Sequence, residues 1–305
     1  MRRLRIDLTT ALAIAAMALP LAACGSERST GSGAPAASDT TTGANKTAVK
    51  PATAEDFDRN KFSDPTNIDN QWFPLKPGTQ FVYDGSAIVD GGPERHRVVF
   101  TVTDLTKVVH GVRNLVVWDR DYSQGQLVEA ELALFAQDND GNVWHFGQYP
   151  EEYEDGKFVA APAWIAGLEA AKPGISMRAA PRLGTSDYSQ GLGPKVGWRD
   201  RAKARKTGQQ TCVPTRCYRD VLVMEEWDQA DPAARQLKYY APGVGNVRVG
   251  WTGRDEEKEV LVLSKLVQLG PEALAEVRRQ ALKLEKSAYK ISKDLYGQTP
   301  PAESP

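Results

Sequence analysis

Four dipeptides punctuate the middle of this chain at a nearly even interval. His110-Gly111, Gln124-Gly125, Asp140-Gly141 and Asp155-Gly156 recur every 14 to 16 residues. A glycine at the second centre of a tight turn lets two strands reverse within two residues, so this spacing predicts long antiparallel strands joined by hairpins. Asp84-Gly85 reads as an earlier member of the series. Between the turns the chain alternates: Val128, Ala130, Leu132, Leu134 and Ala136 share one face, with Glu129 and Glu131 on the other. β-Branched and aromatic residues dominate Arg97–Thr103 and Leu115–Trp118, as a pleated surface favours.

After Phe158 this pattern is lost for about 35 residues, through a Gly- and Pro-rich stretch holding Trp164 and Trp198. Strand patterning resumes at Val221–Trp227, Leu237–Tyr240, Val247–Trp251 and Val260–Leu269. The expectation is a mainly β domain over residues 56–270, an antiparallel meander of ten to twelve strands forming a curved sheet, a sandwich or a barrel.

The period then changes. Gly270-Pro271-Glu272 opens a helix, and Leu274, Val277, Ala281, Leu284, Ala288, Ile291 and Leu295 recur at three- and four-residue steps until Gly297 and Pro300. This predicts one amphipathic C-terminal helix over 271–297, about 40 Å long, followed by a disordered tail at 298–305. The apolar stripe either packs on the domain's own sheet or makes a dimer or docks a protein partner.

The N-terminus sets a location. Arg2, Arg3 and Arg5 precede an apolar run from Leu8 to Ala23, short for a membrane span, which ends Leu21-Ala22-Ala23-Cys24-Gly25. That order matches a bacterial lipobox: residues 1–23 are a lipoprotein signal peptide, cleavage falls between Ala23 and Cys24, and Cys24 carries acyl chains such as palmitate. Two or three such chains hold a protein on a membrane without further contacts, here on the extracytoplasmic face. Residues 25–54 contain no aromatic side chain and one large aliphatic, Val49, so residues 24–55 form the lipidated Cys and a disordered tether.

Beyond residue 23, Lys+Arg falls from 38 to 35 and Asp+Glu from 39 to 38, leaving a net charge of −3. That balance does not suit a nucleic-acid partner. Of three cysteines, Cys24 is assigned to lipid, and Cys212 and Cys217 flank the turn-like Val213-Pro214-Thr215-Arg216. An oxidising compartment favours a disulfide there. The alternative, half of a metal site, finds no ligand spacing in His96, His110 or His145. Arg199, Arg201, Lys203 and Arg205 alternate along one strand and form a basic stripe, either a solvated face or a contact for anionic headgroups or cell-wall polymer.

No G-x-S-x-G, H-E-x-x-H or phosphate-binding glycine loop occurs, so no catalytic residue, metal ligand or cofactor is assigned. Asp138-Asn139-Asp140-Gly141-Asn142 lacks both end ligands of a calcium loop and reads as a hairpin turn. Asp-Tyr-Ser-Gln-Gly occurs at 121–125 and 187–191 and reads as two similar turns. Tryptophans lining a concave sheet would suit an apolar or sugar ligand.

Three stretches carry a resemblance. They are Asn70-Gln71-Trp72-Phe73-Pro74-Leu75-Lys76-Pro77-Gly78-Thr79, Ala136–Trp144, and Tyr239-Tyr240-Ala241-Pro242-Gly243-Val244-Gly245. Together they resemble an uncharacterised family of bacterial lipoproteins and secreted proteins with "WFPLKPGT" and "YYAPGVG" motifs, over most of residues 65–297. The motifs carry fold-type turns at Pro77-Gly78 and Pro242-Gly243, and the family implies no activity. The Cys212/Cys217 turn and the basic stripe depart from it. The function expected from these features is a membrane-anchored, non-catalytic binding or carrier module for a lipid, glycan or cell-envelope component. The alternatives are a structural or partner-docking protein using residues 271–297, and a hydrolase with dispersed catalytic residues.

Overall fold

Four hairpins close on two-residue turns in which both central residues have positive φ: Asp90-Gly91 (49° and 81°), His110-Gly111 (51° and 79°), Gln124-Gly125 (50° and 85°) and Asp155-Gly156 (49° and 72°). This backbone twist matches that of the strands it joins. The computed structural model describes residues 56–305; Ala23, Cys24 and the tether lie outside the described residues.

Fifteen strands follow in chain order: β1 (Thr79–Val89), β2 (Gly92–Val109), β3 (Val112–Ser123), β4 (Gln126–Gln137), β5 (Val143–Glu154), β6 (Lys157–Ala160), β7 (Trp164–Ile165), β8 (Lys172–Met177), β9 (Tyr188–Ser189), β10 (Gly191–Leu192), β11 (Asp200–Val213), β12 (Arg216–Asp228), β13 (Ala234–Ala241), β14 (Gly245–Gly253) and β15 (Val260–Gln268). Eleven have six residues or more, within the ten to twelve expected; the other four, of two to four residues, lie in the stretch without period.

All pairings are antiparallel and make one sheet, in the order β10-β8-β5-β4-β3-β2-β1-β15-β14-β13-β12-β11-β9, with β6 and β7 added to β5. The two ends of this order, β9 and β10, are separated in the chain by one residue, Gln190. Tyr188 and Ser189 pair with β11 while Gly191 and Leu192 pair with β8. One short segment therefore stitches both edges, and the sheet curls until its ends meet. The second Asp-Tyr-Ser-Gln-Gly is this seam and not a turn; the first is the β3–β4 hairpin.

Asp84-Gly85 is also not a turn. Gly85 sits inside β1 opposite His96, and a Cβ there would lie 1.7 Å from the Val260 carbonyl oxygen. The glycine lets β15 approach β1, and the turn falls at Asp90-Gly91 instead. Gly85→Ala is expected to force the strands apart and cost about 3 kcal/mol or more in a urea titration, at or above the upper end for an overpacked core.

The chain ends on the convex side of the sheet in α1 (Pro271–Ile291) and α2 (Lys293–Tyr296), the run being broken at Ser292. Val277, Ala281, Leu284 and Ala288 are buried, and α1 packs on β2 and β4, so the apolar stripe is covered by the domain's own sheet. Residues 298–305, expected to be disordered, are instead held: Thr106 and Glu303 exchange backbone hydrogen bonds, and Ala302 N donates to Glu285 Oε1 at 3.0 Å. The cause is Lys107 of β2, only 2% exposed, whose ammonium donates to Glu285 Oε1 (2.8 Å), Tyr289 Oη (3.0 Å) and Pro300 O (2.6 Å). A buried cation needs every donor satisfied, and the tail supplies the last acceptor.

Candidate functional site

Cross-strand partners share a face, so the register defines the concave side of the sheet. Phe73, from the segment before β1, touches Phe100 of β2 (6.3 Å between ring centroids), Phe135 of β4 (5.6 Å) and Tyr240 of β13 (6.2 Å). Only the inside of the curl brings β2, β4 and β13 to one ring.

Three rows then follow across the strands. Phe81, Phe100, Asp119, Glu131 and Pro150 oppose one another in sequence along β1 to β5. On one side of this row stand Tyr83, Val98, Asp121, Glu129 and Glu152; on the other, Val102, Val117, Ala133, Gln148 and Trp164. The concave face is thus divided. One part is aromatic, built on Phe73, Phe81, Phe100, Phe135 and Tyr240; the other holds carboxylates standing directly opposite carboxylates.

Like charges in opposing positions repel, and burial adds a desolvation penalty on the charged form. Both effects favour the protonated acid. Burial, then the neighbouring Asp121, pushes Asp119 up to about 6. Burial followed by Asp121 and Asp119 raises Glu129 to about 8. Glu131, 1% exposed, is held well above the usual carboxylate range by burial and then by Glu129.

The cations of this face are already engaged. Burial alone would lower His96, but hydrogen bonds to Asp121 and Glu259 raise it to about 9; its Nδ1 lies 2.9 Å from Glu259 Oε1. Lys238 of β13, in the row of His96, pairs with Glu226 at 2.6 Å; burial lowers its pKa, and Glu226 more than offsets that. On β11, burial and then Asp228 push Asp200 up to about 6.

Beneath the seam His145, Trp164 and Trp198 form a cluster, with centroids 4.9 Å (His145–Trp164), 5.7 Å (His145–Trp198) and 6.0 Å (Trp164–Trp198) apart. Burial lowers His145 to about 3, against backbone hydrogen bonds at Gly147 and Gln190, so the imidazole is neutral. Gly191 and Gly193 flank Trp164 so closely that a Cβ on either would fall 2.7 Å from the indole.

The residues singled out from sequence are placed elsewhere. Arg201, Lys203 and Arg205 lie on the convex side of β11, with Arg199 just before it, and each faces a carboxylate of this chain: Asp228 at 3.4 Å from Arg199, Asp187 for Arg201, and Glu225 at 3.2 Å and 2.5 Å from Lys203 and Arg205. Each therefore has an intramolecular carboxylate partner, with Glu225 shared by Lys203 and Arg205. Cys212 and Cys217 are disulfide-bonded across the β11–β12 turn, with Cα atoms 3.9 Å apart. So short a loop constrains little unfolded chain, and the Cys212→Ser/Cys217→Ser pair should lose only about 2 kcal/mol on urea denaturation. Asp138 closes the β4–β5 turn, accepting from Asn142 N at 2.8 Å and Trp144 Nε1 at 2.8 Å, as a hairpin and not a calcium loop.

The carboxylate cluster was not assigned from sequence. Glu129 and Glu131 do lie on the opposite face from the aliphatics, but both faces are covered: the aliphatic face lies under α1, and the glutamates line the curl. Phe135 and Ala133, in phase with the two glutamates, are the signal that this face is interior.

No protein-family model matches this chain, and no curated protein matches it. Among solved structures the chain is similar to a protein termed an exported protein with a YmcC-like fold from Bacteroides fragilis, at 14% identity over 65% of this chain and 99% of that one, with a TM-score of 0.39. It is similar to a protein termed a lipoprotein from Parabacteroides distasonis, at 13% identity over 65% of this chain and all of that one (TM-score 0.37). A β-barrel-like protein of a domain of unknown function from Brucella abortus matches at 13% identity over 63% of this chain and 98% of that one (TM-score 0.31).

Proposed function

We propose that this chain is a lipoprotein held through Cys24 on the extracytoplasmic face of the cell membrane, and that its curled sheet is a non-catalytic binding module for an amphipathic cell-envelope component, a lipid or glycolipid. The observation that carries the reading is the division of the concave face into an aromatic part and a carboxylate part. A ligand with an apolar chain gains from burial against Phe73 and Phe100, both only partly buried, at roughly 25 cal/mol per Å² of apolar area removed from water. The polar end meets Glu129 and Glu131, whose raised pKa values favour the neutral acid, a group that both donates and accepts hydrogen bonds. The lipobox ending at Cys24 supports the location.

Organic-solvent extraction of the protein purified from cell membranes tests this reading. A single amphipathic species at a stoichiometric level is expected. Bulk membrane lipids alone, in the proportions found with an unrelated lipid-anchored protein, would overturn it.

A further inference from the structure

We infer that the carboxylate part of the concave face receives a cationic amine, the positively charged end of the amphipathic ligand proposed above, on which reading the inference rests. Asp119 opposes Glu131, Asp121 opposes Glu129, and Glu129 opposes Glu152, so three adjacent strands present acids in register. A second observation comes from a residue outside that cluster. Gln148 stands opposite Ala133 on the same face, one diagonal step from Glu131, and is 7% exposed. Its Oε1 has no hydrogen-bond donor, and neither has Glu131 Oε1.

Gln148 Oε1 is an acceptor, and Glu131 Oε1 becomes one when the acid ionises, so these two atoms call for donors; Trp164 Nε1, opposite Gln148, is itself a donor without a partner. A buried acceptor without a donor costs about 1–3 kcal/mol. The cations packed against this face do not fill the need: His96 of β2 is held by Asp121 and Glu259, and Lys238 of β13 by Glu226. On the remaining walls Tyr83 of β1 donates to Asn246 O at 2.8 Å, and β11 and β12 add the acids Asp200 and Glu226. On β3, β4 and β5 the concave positions hold Asp119, Asp121, Glu129, Glu131 and Glu152 and no cation.

Among the described residues no three such side chains stand close enough to share a metal ion. An ammonium suits the arrangement better, since it spreads three donors over separated acceptors. A neutral sugar hydroxyl would satisfy an acceptor but would not draw a proton from the neutral acid beside it. Access is graded: Asp121 retains 17% side-chain exposure, whereas Glu131 beyond it retains 1%. When an ammonium arrives, a neutral acid beside it loses its proton to solvent, and the new carboxylate pairs with the cation.

Isothermal titration of the full chain at pH 7, in two buffers of different ionisation enthalpy, tests this with dodecylammonium and dodecyl maltoside, each below its micellar concentration. Dodecylammonium should bind about tenfold more tightly or better, equivalent to about 1.4 kcal/mol, with net proton release. Glu131→Gln should abolish most of that preference. Equal binding of the two probes, or amine binding without proton release, would overturn the amine assignment while leaving the carrier reading in place. Binding of neither would overturn both. The proton count is read on the unaltered protein, so the test stands even if Glu131→Gln folds poorly.

Discussion

Lys107→Met should destabilise the domain by about 3–5 kcal/mol, the range for breaking a buried ion pair from one side. The substitution leaves Glu285, 5% exposed, as an uncompensated buried charge, and it orphans Tyr289 Oη and the Pro300 carbonyl. It also removes the ammonium from between the rings of Tyr289 and Tyr296, 5.1 and 4.9 Å from their centroids. Changing both partners, Lys107→Met with Glu285→Leu, should recover most of the loss, because an apolar pair needs no mutual neutralisation. Urea titration of the two single variants and the double variant measures this. A double variant no better than Lys107→Met would show that the tail, not the charge pair, sets the stability. Deleting residues 271–305 should be worse again, since it bares the convex surface of β2 and β4 that α1 covers.

Thermal stability should fall as pH rises from about 6.5 to about 9. Glu129 titrates at about 8 in the folded chain and near 4.3 unfolded. Between those values the native state binds the extra proton, and stability declines with pH. Glu131, also raised, acts in the same sense. His96 is also raised, to about 9; its contribution is full below about 6.5 and is lost as pH passes 9. His145 acts on the acid side: its folded value of about 3 gives a contribution that is full above about 6.5 and lost as pH falls. The prediction is a maximum on the acid side of neutrality and a melting temperature several degrees lower at pH 9. In Glu129→Gln with Glu131→Gln the alkaline decline should flatten. A melting temperature that rises between pH 6.5 and 9 would mean that these carboxylates are ionised and solvated, and the concave site would lose its basis.

What was legible in the sequence was what is decided locally. The four positive-φ turns are fixed by two adjacent residues, and three of them, at His110-Gly111, Gln124-Gly125 and Asp155-Gly156, were identified. The Cys212–Cys217 bond spans a turn, and the C-terminal helix follows from its own period. What failed was non-local. Gly85 looks like a turn glycine, and only the approach of Val260 from the far end of the chain explains it. The seam at 188–192 uses strands of two residues, too short to show a period. The tail at 298–305 is ordered by a lysine nearly 200 positions away, and nothing in Pro300 or Ala302 announces it. Glu129 and Glu131 alternate as a solvated face would; a strand covered on both faces ordinarily reads as a continuous apolar run, and these two acids interrupt it.

Native mass spectrometry of the full chain carrying Cys24→Ser, produced in a bacterial host and compared before and after denaturation, tests the central claim most directly. A concave face built to hold an amphipathic amine predicts a reproducible extra mass on the folded protein that denaturation removes and that Glu131→Gln diminishes. A clean apo mass, unchanged after incubation with an extract of envelope lipids, would contradict it.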